Sequence, residues 1–260
     1  MESKGYNPIT AKTMVRYLDR YVTTAIQSPM DVIRLFSGLS IGQQHHLNRA
    51  LRAFFNFLEI TGFSRDWLDR LRKAIPKDRI GIDIRVPEEQ AIQEDLQRIS
   101  KASLKYQALW NLCLDSGIRL IEAIGVISSF SLEKIREVNG FYRYRIGEFR
   151  GSKQAYFAYF TEYTLRLIRS VSGEKISRPN ASHYYCKNCL TSPKYLRKFA
   201  FDKMIQLDIP ESVADFMEGR VPTRIGAKHY MALARQADKF YLRYAKYVAE
   251  LRRKAGLLAA

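Results

Sequence analysis

Long hydrophobic runs are missing from this chain. Charged residues interrupt its apolar stretches every few positions, well short of the ~18–20 apolar residues a membrane helix needs. The opening residues, MESKGYNPIT, lack the apolar core of a signal peptide, so a cytoplasmic protein is expected. Cysteine is scarce: Cys113, Cys186 and Cys189 are too few for a disulfide framework. His183-x-x-Cys186-x-x-Cys189 has no second ligand pair to complete a zinc site, and free thiols are expected ahead of a local disulfide or a metal. Familiar motifs are missing too. There is no GxxxxGK[ST] loop, no GxGxxG, no HExxH pair, and no carboxylate cluster suited to a two-metal nuclease. No cofactor is expected.

Positive charge is what the chain has in excess. Lys and Arg total 43 against 26 Asp and Glu, a formal net charge of +17 over 260 residues. Thermostabilising ion-pair networks use both signs, whereas a one-sided excess points to a polyanion, with nucleic acid ahead of an anionic membrane surface. Hydrophobic residues make up 47% of the chain, enough to fill packed cores rather than leave it disordered.

The first part of the chain reads as about four helices. Met14, Leu18, Tyr21 and Val22 recur at helical spacing, and Ser28-Pro29 ends that run. Leu47, Ala50, Leu51, Phe54, Phe55 and Leu58 form one apolar stripe, with Arg49 and Arg52 opposite and Gly62 placed for a left-handed helix end. The Pro- and Gly-marked stretch after Ile75 reads as an interdomain linker. The expected division is a helical bundle over residues 1–78, a linker over 79–90 and a second, α+β domain over 91–260. In that last part helices are expected over Glu88–Ile99, Lys101–Asp115 and Leu120–Val126. Three antiparallel strands follow, about Leu132–Val138, Phe141–Phe149 and Gln154–Phe160, the first two joined by Asn139-Gly140, a strong hairpin signal. Beyond Pro193 everything reads as helical. The fold class is mainly α, α+β: a helical bundle plus a helical domain with a small three-stranded antiparallel sheet.

Four segments carry candidate chemistry. In Asp115-Ser-Gly-Ile-Arg119-Leu-Ile-Glu122 the arginine follows a glycine turn and is flanked by apolar residues, which implies partial burial and an anionic partner: Glu122 or a phosphate. Arg150-Gly-Ser-Lys153 forms a hairpin tip, where a lysine is commonly just solvated. Pro193-Lys194-Tyr-Leu-Arg197 puts two cations on one helical face, commonly a solvated one. Glu218-Gly-Arg220-Val-Pro-Thr-Arg-Ile-Gly-Ala-Lys-His229-Tyr230 runs from a helix end through a loop to a tyrosine.

Taken together and in this order, the four segments resemble the tyrosine recombinases. SGIRLIEAIGV resembles that family's first arginine box, RGSK its β-hairpin lysine, KYLR its His-x-x-Arg box, and EGRVPTRIGAKHY its final box. RALRAFFNFLEITGF resembles the last helix of the family's core-binding domain. The resemblance implies Arg119, Lys153, Lys194, Arg197 and Arg220 as catalytic residues and Tyr230 as the nucleophile. Lys194 and Arg220 stand where the family commonly has His, and His or Trp, a departure similar to the integrases of archaeal fuselloviruses and related plasmids. The implied activity is site-specific cutting and rejoining of double-stranded DNA through a 3′-phosphotyrosyl ester. A tetramer on DNA and integration of an archaeal virus or plasmid are implied with it.

The residue types suit the reaction. Guanidinium forks bind phosphorane oxygens bidentately and stay charged. Neighbouring cations favour the phenolate of a tyrosine whose ordinary pKa is about 10 and make a lysine a better proton donor. Lys153 is the implied general acid, and Lys194 orients the phosphate or shuttles protons. His229 reads as a phosphate or packing contact. Tyr241, Tyr244 and Tyr247 recur every three residues, an aromatic packing stripe that a neighbouring protomer could cover. Alternative readings are a chromosome-dimer resolvase, a type IB topoisomerase-like enzyme, and a DNA-binding protein without catalysis.

Overall fold

The computed structural model describes residues 8–78, 81, 83–150, 153–220 and 232–258, apart from the side chains of 148–150 and 153. The chain divides into two compact units, Met1–Asp83 and Ile84–Ala260.

The first unit holds α1 (Pro8–Tyr21), α2 (Pro29–Leu35), α3 (Ile41–Ile60) and α4 (Arg65–Ala74). Local chemistry starts two of them. Ser28 caps α2 in a capping box with Asp31, with Pro29 preset for the first turn, and Ser40 caps α3 with Gln43 in the same way. Gly62, at φ +100, follows the end of α3 in the left-handed region expected of it. Val32, Leu47, Leu51, Phe55, Leu68 and Leu71 fill the core. Asn48 is buried there, and its Nδ2 donates to the Pro76 carbonyl at 2.8 Å.

The second unit is built around α6 (Leu104–Ser116), in which every residue from Gln107 to Ser116 is buried. A helix covered on all sides belongs at the centre. It is preceded by α5 (Glu89–Ile99) and followed by α7 (Leu120–Ser128), then β1 (Ile135–Val138), β2 (Phe141–Arg150) and β3 (Lys153–Phe160). The remaining described helices are α8 (Glu162–Ser170), α9 (Arg178–Lys187), α10 (Pro193–Gln206), α11 (Glu211–Met217) and α12 (Leu233–Lys254). The strands form one antiparallel sheet in the order β1-β2-β3. Asn139 (φ +49) and Gly140 (φ +86) make its first turn, as a two-residue Asn-Gly hairpin requires.

Two boundaries differ from expectation. α6 begins at Leu104, because Lys101 and Ala102 bond back to Arg98 and Ile99 and close off α5 first. Leu132–Lys134 is a single 3-10 turn capped by Ser131 rather than the start of β1.

α12 is fastened to α6 by buried polar groups. Arg252 and Asp115 are both fully buried and meet at 2.6 Å, with Asn111, Thr161 and Thr164 accepting the other guanidinium hydrogens. Tyr241 and Tyr244 donate their hydroxyls to the carbonyls of Asp115 and Leu114, at 2.9 and 2.8 Å. These carbonyls belong to the last turn of α6, where no helical donor reaches them. The tyrosine stripe is thus packing, as expected, but the partner is its own chain. Tyr241 and Tyr244 are fully buried and leave no face for a neighbouring protomer.

Candidate active site

α6 ends at Gly117, whose φ of +63 lies in the left-handed region. A side chain is excluded there on a second count: a Cβ would sit 2.8 Å from Oε1 of Glu218. The turn delivers Arg119 to the N-terminus of α7. Its backbone N–H and its Nη1 donate to the two carboxylate oxygens of Glu122, each at 2.8 Å, so Glu122 both caps the helix and orients the guanidinium. Nη1 also donates to the Gly219 carbonyl at 3.0 Å. The side chain of Arg119 is 25% exposed, which leaves part of the fork open.

Arg197 reaches the same place from α10. It is 9% exposed, a buried guanidinium rather than half of a solvated basic face. Its Nη1 donates to the carbonyls of Gly117 at 2.9 Å and Glu218 at 2.6 Å. Each arginine is therefore tied to a glycine turn from the opposite side of the site: Arg119 to Gly219, Arg197 to Gly117. Gly219 is also left-handed, at φ +71, and a Cβ there would meet Ala155 of β3 at 2.9 Å. Burial lowers the Arg197 pKa to about 10; Glu218 works against that fall, and Arg119 and Arg220 add to it.

Arg220 follows directly. Its guanidinium lies over the Phe201 ring at 5.0 Å, 3.5 Å from Asp215 Oδ1 and 3.0 Å from Glu218 Oε2. Burial raises the Asp215 carboxyl, opposed by Arg220 and Arg197.

Arg119, Arg197 and Lys194 line one cleft of about 580 Å³, together with Glu122, Arg178 and Ser182. The first turns of α7 and α10 border it, as does the start of α9. Helix N-termini present unpaired N–H groups and favour anions. Yet α9 and α10 carry no acidic residue in their first turns; Arg178 and Lys194 stand there instead. A cation at a helix N-terminus is unfavourable unless an anion binds between. The arrangement fits a phosphodiester. Arg178 escapes sequence reasoning because Ser-Arg-Pro carries no motif; the only signal is a cation at a helix start.

The structure thus brings Arg119, Lys194, Arg197 and Arg220 together. Lys153 opens β3 opposite Arg150, across positions 151–152, beyond a register shift between Arg145 and Glu148. Its side chain, and Tyr230 and His229 with it, lie outside the described residues. Cys113, Cys186 and Cys189 are free thiols, Cys113 buried and the others exposed. Among the described residues no His, Cys, Asp and Glu group is placed to hold a metal ion, and no helix is long and apolar enough to cross a membrane.

A family model described as archaeal phage integrase matches residues 84–247. Among solved structures, XerH site-specific recombinase bound to palindromic difH substrate in a post-cleavage complex is similar at 12% identity, over 96% of this chain and 80% of that one, with a TM-score of 0.57. The XerH pre-cleavage complex is similar at 12% identity, over 93% and 78%, with a TM-score of 0.52. An integrase from mycobacterium phage Brujita aligns at 12% identity over 99% and 94%, with a TM-score of 0.44. At this identity the XerH likeness establishes a shared fold. A search of curated protein sequences gives no match.

Proposed function

The chain belongs to the archaeal phage integrase family, and from that premise we propose that it is a site-specific DNA recombinase whose nucleophile is Tyr230. The observation that carries the reading is the convergence of Arg119, Arg197 and Lys194 on one cleft bordered by helix N-termini. In-line attack on a phosphodiester builds negative charge on the non-bridging oxygens. Fixed, partly buried guanidiniums meet that charge without reorganising. Arg119 and Arg197 keep their hydrogen-bonding edges oriented because other edges are held by backbone carbonyls.

In this reading Tyr230 displaces the 5′ oxygen and retains the strand as a 3′-phosphotyrosyl ester. Lys153 gives the leaving oxygen its proton, and Lys194 and Arg220 steady the phosphate. The ester conserves the bond, and the free 5′ hydroxyl of a second strand reverses the step without nucleotide hydrolysis. The first unit serves as a DNA-binding domain, residues 1–78, joined by a linker over 79–90 to the catalytic domain over 91–260. A tetramer on DNA attachment sites and integration of an archaeal virus or plasmid complete the proposal.

Suicide DNA substrates taken from the sequence flanking the integrated element test it. The wild type should form a covalent adduct that maps to Tyr230, and Tyr230→Phe should bind DNA and form none. An adduct persisting in the Phe variant sinks the assignment.

A further inference from the structure

One buried acid in the site has no place in the chemistry above. Glu218 is fully buried, and among the described residues neither carboxylate oxygen has a hydrogen-bond partner. Nη2 of Arg220 lies 3.0 Å from Oε2 and Nε of Arg197 lies 3.4 Å from it, close enough to pair electrostatically but not aligned to donate. The backbone of the same residue is fully used, its carbonyl accepting from Arg197 at 2.6 Å. A buried carboxylate without hydrogen bonds is costly for the fold. Apolar packing alone is better served by an apolar side chain, so an account of Glu218 needs its charge.

Resting on the recombinase reading, we propose that Glu218 is a positioning residue: its carboxylate, behind Arg197 and Arg220, holds both guanidiniums against the Glu218-Gly219 turn and cancels their mutual repulsion before the phosphate arrives. Three lines meet here. The carboxylate lies within ion-pair distance of two of the three arginines, and the carbonyl of the same residue accepts from Nη1 of Arg197. The left-handed Gly117 leaves the space Oε1 fills, since any Cβ there would meet it. Without an acid at this point, Arg119 and Arg220 press their charge on the buried Arg197, and like charges repel more strongly around a buried group than in open water. Preorganisation of this kind matters to rate because a misplaced donor loses most of its effect on the transition state.

Among the described residues, the charged and titratable groups around Glu218 are Arg119 of α7, Arg197 of α10, Asp215 of α11, Arg220, and Tyr244 of α12. Burial raises the Glu218 carboxyl to about 7, with Arg197 and Arg220 opposing the rise. Its charge is therefore lost as pH falls through neutrality.

The test is Glu218→Gln in the full chain, with two readouts. The first is the rate of covalent adduct formation on a suicide DNA substrate from pH 5.5 to 8.5. The expected result is a loss of roughly tenfold to a hundredfold at pH 8, DNA affinity within about threefold, and disappearance of the wild-type fall in rate below pH ~7. The second is hydrogen exchange at the Arg197 guanidinium, whose Nη1 is held by the Gly117 and Glu218 carbonyls, followed by 15N NMR without any DNA; protection should drop in the variant as those bonds loosen. Should Glu218→Gln not fold, Glu218→Asp takes its place. It keeps the charge but shortens the reach, and should lose rate while retaining the acid limb. Wild-type rate and pH profile in the variant, or unchanged Arg197 protection, overturns the proposal. If the wild type itself forms no adduct, the recombinase reading fails and the exchange readout alone decides whether Glu218 holds the arginines.

Discussion

Arg252 and Asp115 meet at 2.6 Å with neither side chain exposed to solvent. The pair lies in the second unit, where it locks the final helix to the end of α6, two residues before the Gly117 turn. Taking two charges out of water is costly, and such a pair contributes little net stability over a well-packed apolar one. Removing one partner is another matter. Arg252→Ala should strand a buried carboxylate, together with the hydrogen-bonding atoms of Asn111 and Thr164 that now face the guanidinium. The expected loss is about 3–5 kcal/mol in a urea titration. A loss under about 1 kcal/mol would show that water reaches Asp115.

Gly117→Ala tests the turn that delivers Arg119. The left-handed conformation alone costs a residue with a Cβ about 1–2 kcal/mol, and the added carbon meets Glu218 Oε1 at 2.8 Å. Thermal unfolding should register that loss, and adduct formation should fall by more than the lost stability explains. Equal rates in variant and wild type would separate the turn from the chemistry.

Arg197→Lys keeps the charge and discards the fork. A lysine cannot hold the Gly117 and Glu218 carbonyls and still offer a planar edge to the phosphate. Single-turnover cleavage should slow roughly 10²–10³-fold, the range for losing one preorganised donor. Retained activity would reduce Arg197 to a point charge.

Arg178→Ala should leave the fold intact, because this exposed arginine stands in the first turn of a helix that carries no acid there. Stability should hold or rise slightly, since a cation at that end opposes the helix dipole. DNA binding should weaken across all sequences, and the slope of log K against log salt should fall by about 0.9, one phosphate contact. An unchanged slope removes Arg178 from the interface.

Glu218 gives stability a defined dependence on pH. Burial raises its folded-state carboxyl to about 7, so between the unfolded value and pH 7 the folded state binds the extra proton. Stability should therefore fall as pH rises from about 4.5 to 7, by roughly 3 kcal/mol at most. Glu218→Gln should lack that slope. Parallel stability curves for the two proteins across this range would contradict the buried, raised carboxyl.

Much of the fold is legible in the residues because its signals are local. The Asn139-Gly140 turn, the break at Ser28-Pro29 and the apolar stripe of α3 each act within a few positions, and all appear where expected. The site was legible in part. Arg119 with Glu122 at i+3 is a local pair, readable from spacing. The burial of Arg197 was not, because Lys194 and Arg197 look like any basic helical face until α10 is packed against α6. Nor was the role of the tyrosine stripe. Spacing shows that Tyr241 and Tyr244 want a partner, but only the tertiary fold supplies the carbonyls of α6 as that partner.

The sequence by itself determined the element types, the antiparallel hairpins, the cationic excess and the identity of the arginines, since periodicity, turn chemistry and charge are properties of neighbouring residues. Only the tertiary structure decided that Arg119 binds Gly219, that Arg197 binds Gly117, and that Glu218 sits between Arg197 and Arg220. Apart from the neighbouring Glu218 and Arg220, these contacts join positions 21 to 100 residues apart. No local pattern encodes them; they exist because burying α6 on every side draws the α7, α10 and α11 ends to one point.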